Sequence, residues 1–428
     1  MSKVGAPQQA ADEQAPAGRH AALHCFIVDD EPGIRQVIAH SLHDFGIATR
    51  EFDNAASVLA ALEHSSPDFC FLDVTLAGSD AIDVIRGLAQ RCYGGPVQLM
   101  SGRDPTLLED IRRVGERHAL NMLPVLPKPF RAVAVRTIVK EHCGSRLLRS
   151  QQPDAEPRPV DAVQAIAPFE LGKQFELDQL LDKGWLQLWY QPKIELRRRS
   201  LAGAEGLVRC IHPEHGVIPP GAFLPDASED SMIRLTEHVL LTAMRDWAEL
   251  SEQGFTMRMA LNVPVSALVK LPISSLVREH RPKSGAWPGL ILEVTEDQVV
   301  RDIPLAHEIA TQLKIYHIAL AIDDFGTGYS HLARLRELPF AELKLDRNLV
   351  MNCGSDETNA VRCQTGIDLA HRFGSKAVAE GIEKASEFEA LQKMGCDLGQ
   401  GFLFAPPMAK DRFASILRPR AGRKGSAA

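Results

Sequence analysis

From Trp185 onward the chain alternates short apolar segments with longer stretches of helical periodicity, and few folds accept that pattern. Eight short segments recur: Leu186–Tyr190, Leu201–Leu207, Met257–Val263, Leu290–Val294, Ala319–Ile322, Glu342–Leu345, Lys376–Ala379 and Leu398–Phe404. Stretches such as Met232–Leu250 and Thr358–Phe373 between them carry apolar residues at helical spacing. Strand-helix alternation predicts a parallel sheet covered by helices. Eight strands in roughly 250 residues predict a TIM-type (β/α)8 barrel. Only Gln191–Ser200 joins the first two strands, too little for a crossover helix, so one antiparallel strand is expected.

Polar residues interrupt seven of these strands or follow them: Glu205, Asn262, Glu293, Asp323 with Asp324, Lys344 with Asp346, Glu380 and Gln400. Any one of them reads equally well as a helix cap or a surface group. In a barrel of this type, however, the C-terminal strand ends share one rim, where the chemistry lies. The run Asp323-Asp324-Phe325-Gly326-Thr327-Gly328 is the sharpest case. Adjacent carboxylates repel unless a cation lies between them, and glycines let the following loop bend around a ligand. Carboxylates with an amide form a hard oxygen site suited to Mg²⁺ or Mn²⁺. Two such ions roughly 3.5–4 Å apart are the usual arrangement for phosphodiester hydrolysis.

Residues 168–418 resemble an EAL domain, the family of cyclic di-GMP phosphodiesterases. The resemblance rests on Tyr190-Gln191-Pro192, Ala204-Glu205-Gly206-Leu207-Val208-Arg209, His212-Pro213, Ile218-Pro219-Pro220, Leu261-Asn262-Val263 and Leu292-Glu293-Val294-Thr295-Glu296. The Asp-Asp-Phe-Gly-Thr-Gly run, Lys344-Leu345-Asp346, Ala379-Glu380-Gly381 and Gly399-Gln400-Gly401-Phe402 continue it in the family's order. Where the family signature has Ala, this chain has Gly206. The resemblance implies that Glu205, Asn262, Glu293 and Asp323 hold one metal, and that Asp323 and Asp324 hold a second. It gives Glu380 the part of general base, with a share in the metal site, and Lys344 that of orienting the attacking water. Gln191, Arg209, Pro220, Asp346 and Gln400 would bind substrate, and Glu296 would brace the glycine loop. Mg²⁺ or Mn²⁺ would support turnover, with Ca²⁺ inhibitory.

The N-terminal third carries a second acidic constellation at strand ends. Leu23–Val28 runs into Asp29-Asp30-Glu31-Pro32, Phe69–Leu72 ends in Asp73, Val97–Met100 ends in Ser101, and Leu123–Leu126 leads to Lys128. Ligands bind at the carboxyl ends of strands in open parallel sheets. Residues 21–143 resemble a response-regulator receiver domain of flavodoxin-like, doubly wound fold. Asp73 would take the phosphoryl group, Ser101 and Lys128 would contact it, and Asp29, Asp30 and Asp73 would hold Mg²⁺. Receivers often carry an aromatic residue where this chain has Val125.

The remaining sequence sets boundaries. Residues 1–20 and 419–428 are expected to be disordered tails, the latter basic, and 144–167 a proline-rich linker kept extended by its prolines. The net charge of −7 argues against a general nucleic-acid binder, so no DNA partner is expected. No apolar run approaches the ~20 residues of a membrane span. The eight cysteines show no paired spacing and read as reduced thiols of a cytoplasmic protein. No Gly-Gly-Asp/Glu-Glu-Phe cyclase signature occurs. The resulting expectation is a response regulator that hydrolyses cyclic di-GMP to linear pGpG under control of Asp73. A sensor histidine kinase would be its partner, and a homo-oligomer its assembly. The alternative is a catalytically weak cyclic di-GMP receptor signalling through protein contacts. All the expected metal carboxylates are present, which favours the enzyme.

Overall fold

The computed structural model describes residues 23–43, 45–130, 132–143, 175–299, 302–326 and 338–417. The expected tails and linker lie outside these ranges. In the N-terminal domain, strands β1 (His24–Val28), β2 (Ala48–Phe52), β3 (Phe69–Asp73), β4 (Pro96–Ser101) and β5 (Asn121–Met122) form a parallel sheet ordered β2-β1-β3-β4-β5. That order is the flavodoxin-like one, and it places the ends of β1, β3 and β4 side by side at the switch in strand order. Helices α1 (Pro32–His43), α2 (Ala55–Leu62), α3 (Ala81–Gln90), α4 (Pro105–Arg117) and α5 (Ala132–Cys143) cover the sheet.

One local expectation needs correction, and one strand was not anticipated. The strand expected over Leu123–Leu126 is interrupted, because pairing with β4 occurs at Asn121–Met122 and again at Leu126–Pro127. Strand β2 carries too many polar residues, Thr49, Arg50 and Glu51, to signal itself by apolar content. It is an edge strand, so only part of its surface needs to be apolar.

The C-terminal domain is a closed barrel. Its strands are β6 (Leu186–Glu195), β7 (Ser200–His212), β8 (Met259–Asn262), β9 (Leu290–Thr295), β10 (Ala319–Phe325), β11 (Phe340–Leu345), β12 (Lys376–Ala379) and β13 (Leu398–Gly399). Neighbours from β7 to β13 pair in parallel, and β6 closes the ring antiparallel to both β13 and β7. The single reversed strand is therefore as expected from the short first connection. The last apolar segment forms less strand than expected: only Leu398 and Gly399 pair, and the chain then turns.

Helices α6 (Glu229–Ser251), α7 (Val265–Lys270), α8 (Ile303–Ile315) and α9 (Glu357–Arg372) lie outside this ring with several shorter ones. Ser228 caps α6 by accepting from Ser231 N, and Asp356 caps α9 by accepting from Thr358 N and Asn359 N. Outward-facing Leu261, Leu292, Leu320, Ile322, Leu343 and Leu345 pack beneath the helices. The barrel interior holds a separate, smaller apolar cluster of Ala260, Ile291, Ala319 and Ala321. Small residues there leave space that long polar side chains fill.

The domains meet at α8. Arg86 of α3 and His118 Nε2, the latter at 2.6 Å, both engage Glu308. Lys314 Nζ lies 2.9 Å from Asp110, and the Tyr316 hydroxyl and Gln312 amide each donate to Asp80 Oδ2 at 3.0 Å. The Arg103 guanidinium donates to the Ile315 carbonyl at 2.9 Å. Apolar contact continues through the seam, since Ile111 and Val114 share a cluster with Ile309 and Leu313.

His307 is buried in this seam, beside Thr311 Oγ1 and near Arg117, Asp110, Lys314 and Arg113. Burial, reinforced by the cations, holds its pKa down at about 4 against an ordinary 6.5. The unfolded chain therefore binds this proton first, and the neutral imidazole's contribution is lost as pH falls from 6.5 towards 4. The effect reaches at most roughly 3 kcal/mol. Thermal melts across this range should show His307→Gln losing less stability on acidification than wild type. Equal losses would mean that His307 is not held neutral.

Candidate active site

Inside the barrel, the Lys344 ammonium stands at the focus of the acidic residues. It lies 2.6 Å from Glu293 Oε2, 3.0 Å from Asp323 Oδ2, 2.6 Å from Glu380 Oε1 and 3.8 Å from Glu205 Oε1. Glu205 is in turn held by the Asn262 amide at 2.7 Å and the Gln400 amide at 2.6 Å, and Gln400 also donates to Glu380 at 2.9 Å. Seven expected site residues, from seven different strands or strand ends, are thus joined in one hydrogen-bonded set. Glu205 is not at a strand end, because β7 continues to His212; its carboxylate is buried within the barrel.

Asp323 and Asp324 sit where the β10–β11 register slips between Ile322 and Phe325. A bulge of this kind re-aims side chains beside active sites. Asp324 adopts φ +57°, a left-handed conformation that Asp tolerates better than most residues, and Gly326 follows at φ +97°. Asp323 accepts from Asp324 N at 2.9 Å, which fixes the turn. The rest of the expected glycine loop falls outside the described residues. Glu296 is buried at the start of the short helix after β9.

The electrostatics are those of a site with excess negative charge. Glu205, Glu293, Asp323 and Glu380 outnumber Lys344. Burial and the neighbouring carboxylates push the Glu380 carboxyl up to about 8 despite Lys344. Burial likewise raises Glu205. Glu293 behaves oppositely: two lysines overcome its burial and hold it at about 2. Hard oxygen donors, crowded and only partly neutralised, fit divalent cations such as Mg²⁺ or Mn²⁺.

A cleft of about 300 Å³ opens beside this set, and Arg209, Pro220, Asn262, Glu293 and Gln298 are among its lining residues. Two of the expected substrate residues therefore share a cavity with two of the expected metal ligands. Arg209 donates to the neighbouring Val208 carbonyl at 2.7 Å. The Gln191 amide ties β6 to the Ala405 carbonyl at 3.1 Å. Asp346 caps the short helix Arg347–Val350 by accepting from Asn348 N.

In the N-terminal domain, Lys128 Nζ bridges Asp29 at 2.7 Å and Asp73 at 2.9 Å. Thr75 N donates to Asp73 at 3.2 Å, and Ser101 is buried at the end of β4. Burial raises the pKa of both Asp29 and Asp73, against the pull of Lys128. Asp29, Asp30 and Glu31 offer oxygens lying within 4.8 Å of one another. Glu31 was not expected in the site, although its place in the Asp-Asp-Glu run was a usable signal. Two interior residues of the barrel were also missed, Lys193 and Glu342. Both are buried, with Lys193 Nζ 2.9 Å from Glu293 and 2.8 Å from Glu342. Lys193 lies two residues beyond Gln191 on the same strand face, which was the only available hint.

Comparison with known proteins agrees with both halves of this geometry. The EAL domain family model matches residues 175–407, and the response regulator receiver domain model matches residues 25–140. The chain belongs to the EAL domain family and carries an N-terminal receiver domain. It is 29% identical to the cyclic di-GMP phosphodiesterase RocR of Pseudomonas aeruginosa, over 91% of this chain and 97% of RocR. The bifunctional diguanylate cyclase/cyclic di-GMP phosphodiesterase MucR of the same organism is 36% identical, over 60% of this chain but only 38% of its own length. Among solved structures, the PaMucR phosphodiesterase in complex with c-di-GMP superposes with a TM-score of 0.51 at 34% identity, covering 55% of this chain and 97% of that one.

Gly206 can be judged on this geometry. An added Cβ would approach Leu261 Cδ2 to 2.8 Å, with the Ala260 carbonyl farther away at 3.6 Å. The close neighbour is the end of a flexible side chain. The relief of glycine's conformational freedom, roughly 0.5–1 kcal/mol, offsets the shift. Gly206→Ala should therefore change stability by no more than about 1 kcal/mol and leave Mg²⁺-dependent turnover within about tenfold of wild type. An unchanged melt with a much larger loss of turnover would show that moving Leu261 displaces Asn262.

Proposed function

We propose that this chain is a cytoplasmic response regulator whose barrel hydrolyses cyclic di-GMP to linear pGpG under control of Asp73. The observation that carries the reading is the convergence of Glu205, Glu293, Asp323 and Glu380 on Lys344 beside the cleft that holds Arg209. The family match and the near full-length likeness to RocR supply the substrate.

Glu205, Asn262, Glu293, Asp323 and Asp324 would hold two divalent cations. Ions held there would supply charge neutralisation for the phosphodiester and would lower the pKa of water. Arg209 pairs with a phosphate through its planar guanidinium, while Pro220 supplies an apolar wall. Glu380 takes the proton of the attacking water, which Lys344 and Gln400 would help orient, and both already hold the Glu380 carboxylate. One water is thereby added across one phosphodiester bond.

Turnover of cyclic di-GMP with Mg²⁺ or Mn²⁺ tests the assignment; binding without turnover would favour the receptor reading. Losing a general acid-base group costs typically ~10²–10⁴-fold. Glu380→Ala should fall in that range or beyond while substrate binding persists, and a loss below tenfold would reduce Glu380 to a structural part. Ca²⁺, larger and preferring more ligands, should support binding and inhibit hydrolysis.

Control by the receiver follows the seam. Phosphorylation from a sensor histidine kinase would place charge on Asp73, to be met by Ser101 and Lys128. Arg103 N donates to Ser101 Oγ at 3.1 Å, and its guanidinium holds Ile315, the last residue of α8. Helix α8 leads directly into β10, which bears Asp323 and Asp324. A homo-oligomer would add a second surface for the same signal. Coupling of this kind is typically ~1–3 kcal/mol, or roughly 5–150-fold. A small phosphodonor should change hydrolysis by wild type but not by Asp73→Asn, and Arg103→Ala should blunt the response without lowering basal turnover. If Asp73→Asn responds as wild type does, receiver control through that residue is wrong.

A further inference from the structure

Two of the barrel's most buried ions have no place in the reaction described above. Lys193 on β6 is 2% exposed, and Glu342 on β11 is 6% exposed. Taking an ion out of water costs several kcal/mol even after relaxation, so a buried pair is weak evidence for stability. What distinguishes this pair is where the lysine ends. Its ammonium lies 2.8 Å from Glu342 Oε2 and 2.9 Å from Oε1 of Glu293. The other oxygen of Glu293, Oε2, meets Lys344 at 2.6 Å. The two oxygens of one carboxylate are therefore gripped by two different lysines.

That arrangement fixes more than the position of Glu293. A carboxylate at the end of a Glu side chain turns easily about its terminal bond. A cation on each oxygen removes that freedom. Lys193 reaches Glu293 from a different strand than Lys344 does, through an interior whose apolar cluster is Ala260, Ile291, Ala319 and Ala321. Glu342 lies opposite Ala321 in the β10–β11 ladder. It balances the charge of Lys193 without touching the Lys344 set.

We propose that Lys193, charge-balanced by Glu342, is a positioning residue that orients the Glu293 carboxylate for a divalent cation. The inference rests on the reading of Glu293 as a metal ligand. Lys193 is not among the residues that line the cleft. It acts as hydrogen-bonded partners behind a metal ligand generally do, whose loss typically costs 10–100-fold in metal affinity or activity.

The test is Mn²⁺ affinity without substrate, measured calorimetrically on the full chain with its receiver site silenced by Asp30→Asn. Lys193→Met alone would leave Glu342 unbalanced and attract cations for that reason. The informative variant is therefore Lys193→Met with Glu342→Gln, which preserves net charge. It should bind Mn²⁺ about 10–100-fold more weakly. Lys193→Gln with Glu342→Gln keeps an amide donor towards Glu293 and should lose less, by threefold or more on the order of that scale. This milder pair also serves if the methionine variant does not fold. Wild-type Mn²⁺ affinity in either folded variant, even with a lowered melting temperature, would make Lys193 a structural brace and overturn the proposal. Glu293→Gln is the control. If it also binds Mn²⁺ normally, the metal reading of Glu293 fails; if it alone loses affinity, only the role of Lys193 fails.

Discussion

The barrel's interior depends on one electrostatic fact: four carboxylates gather around the Lys344 ammonium, and one of them, Glu293, also meets Lys193. Repulsion among buried acids is severe at low dielectric. Each acid here survives because something specific offsets it. Asn262 and Gln400 donate to Glu205, Gln400 and Lys344 to Glu380, and the backbone of Asp324 to Asp323. The residual imbalance is the feature of the site that fits divalent cations. The three alanines of the interior cluster, Ala260, Ala319 and Ala321, leave room for the lysine stems.

The same constraint shapes the backbone. A regular β10 would send Asp323 and Asp324 to opposite faces of the sheet. The register slip and the left-handed Asp324 break that alternation and bring the pair to the site. Helix α8 is joined to this strand by a short turn, and α8 is also the surface that the receiver grips through Glu308, Lys314, Tyr316 and Ile315. The element that the receiver contacts is thus the one leading into the left-handed turn at Asp324. The receiver has a miniature of the same chemistry, with Lys128 between Asp29 and Asp73.

Much of this was legible in the chain itself. Strand-helix alternation determined both fold classes, the short Gln191–Ser200 connection determined the reversed strand, and polar residues at strand ends marked the site. These signals are local: periodicity, spacing and residue type suffice to read them. Tertiary structure decided the rest. That Gln191 ties down Ala405 while Arg209 enters the cleft depends on contacts between segments far apart in the sequence. Lys193 and Glu342, separated by 149 positions, carry no local mark of being partners. The docking of the receiver on α8 was equally invisible, because Arg86, Asp110 and Lys314 read alone as ordinary solvated charges. Sequence dictates which groups must be buried or exposed along each element; only the closed barrel and the seam decide which buried charges meet.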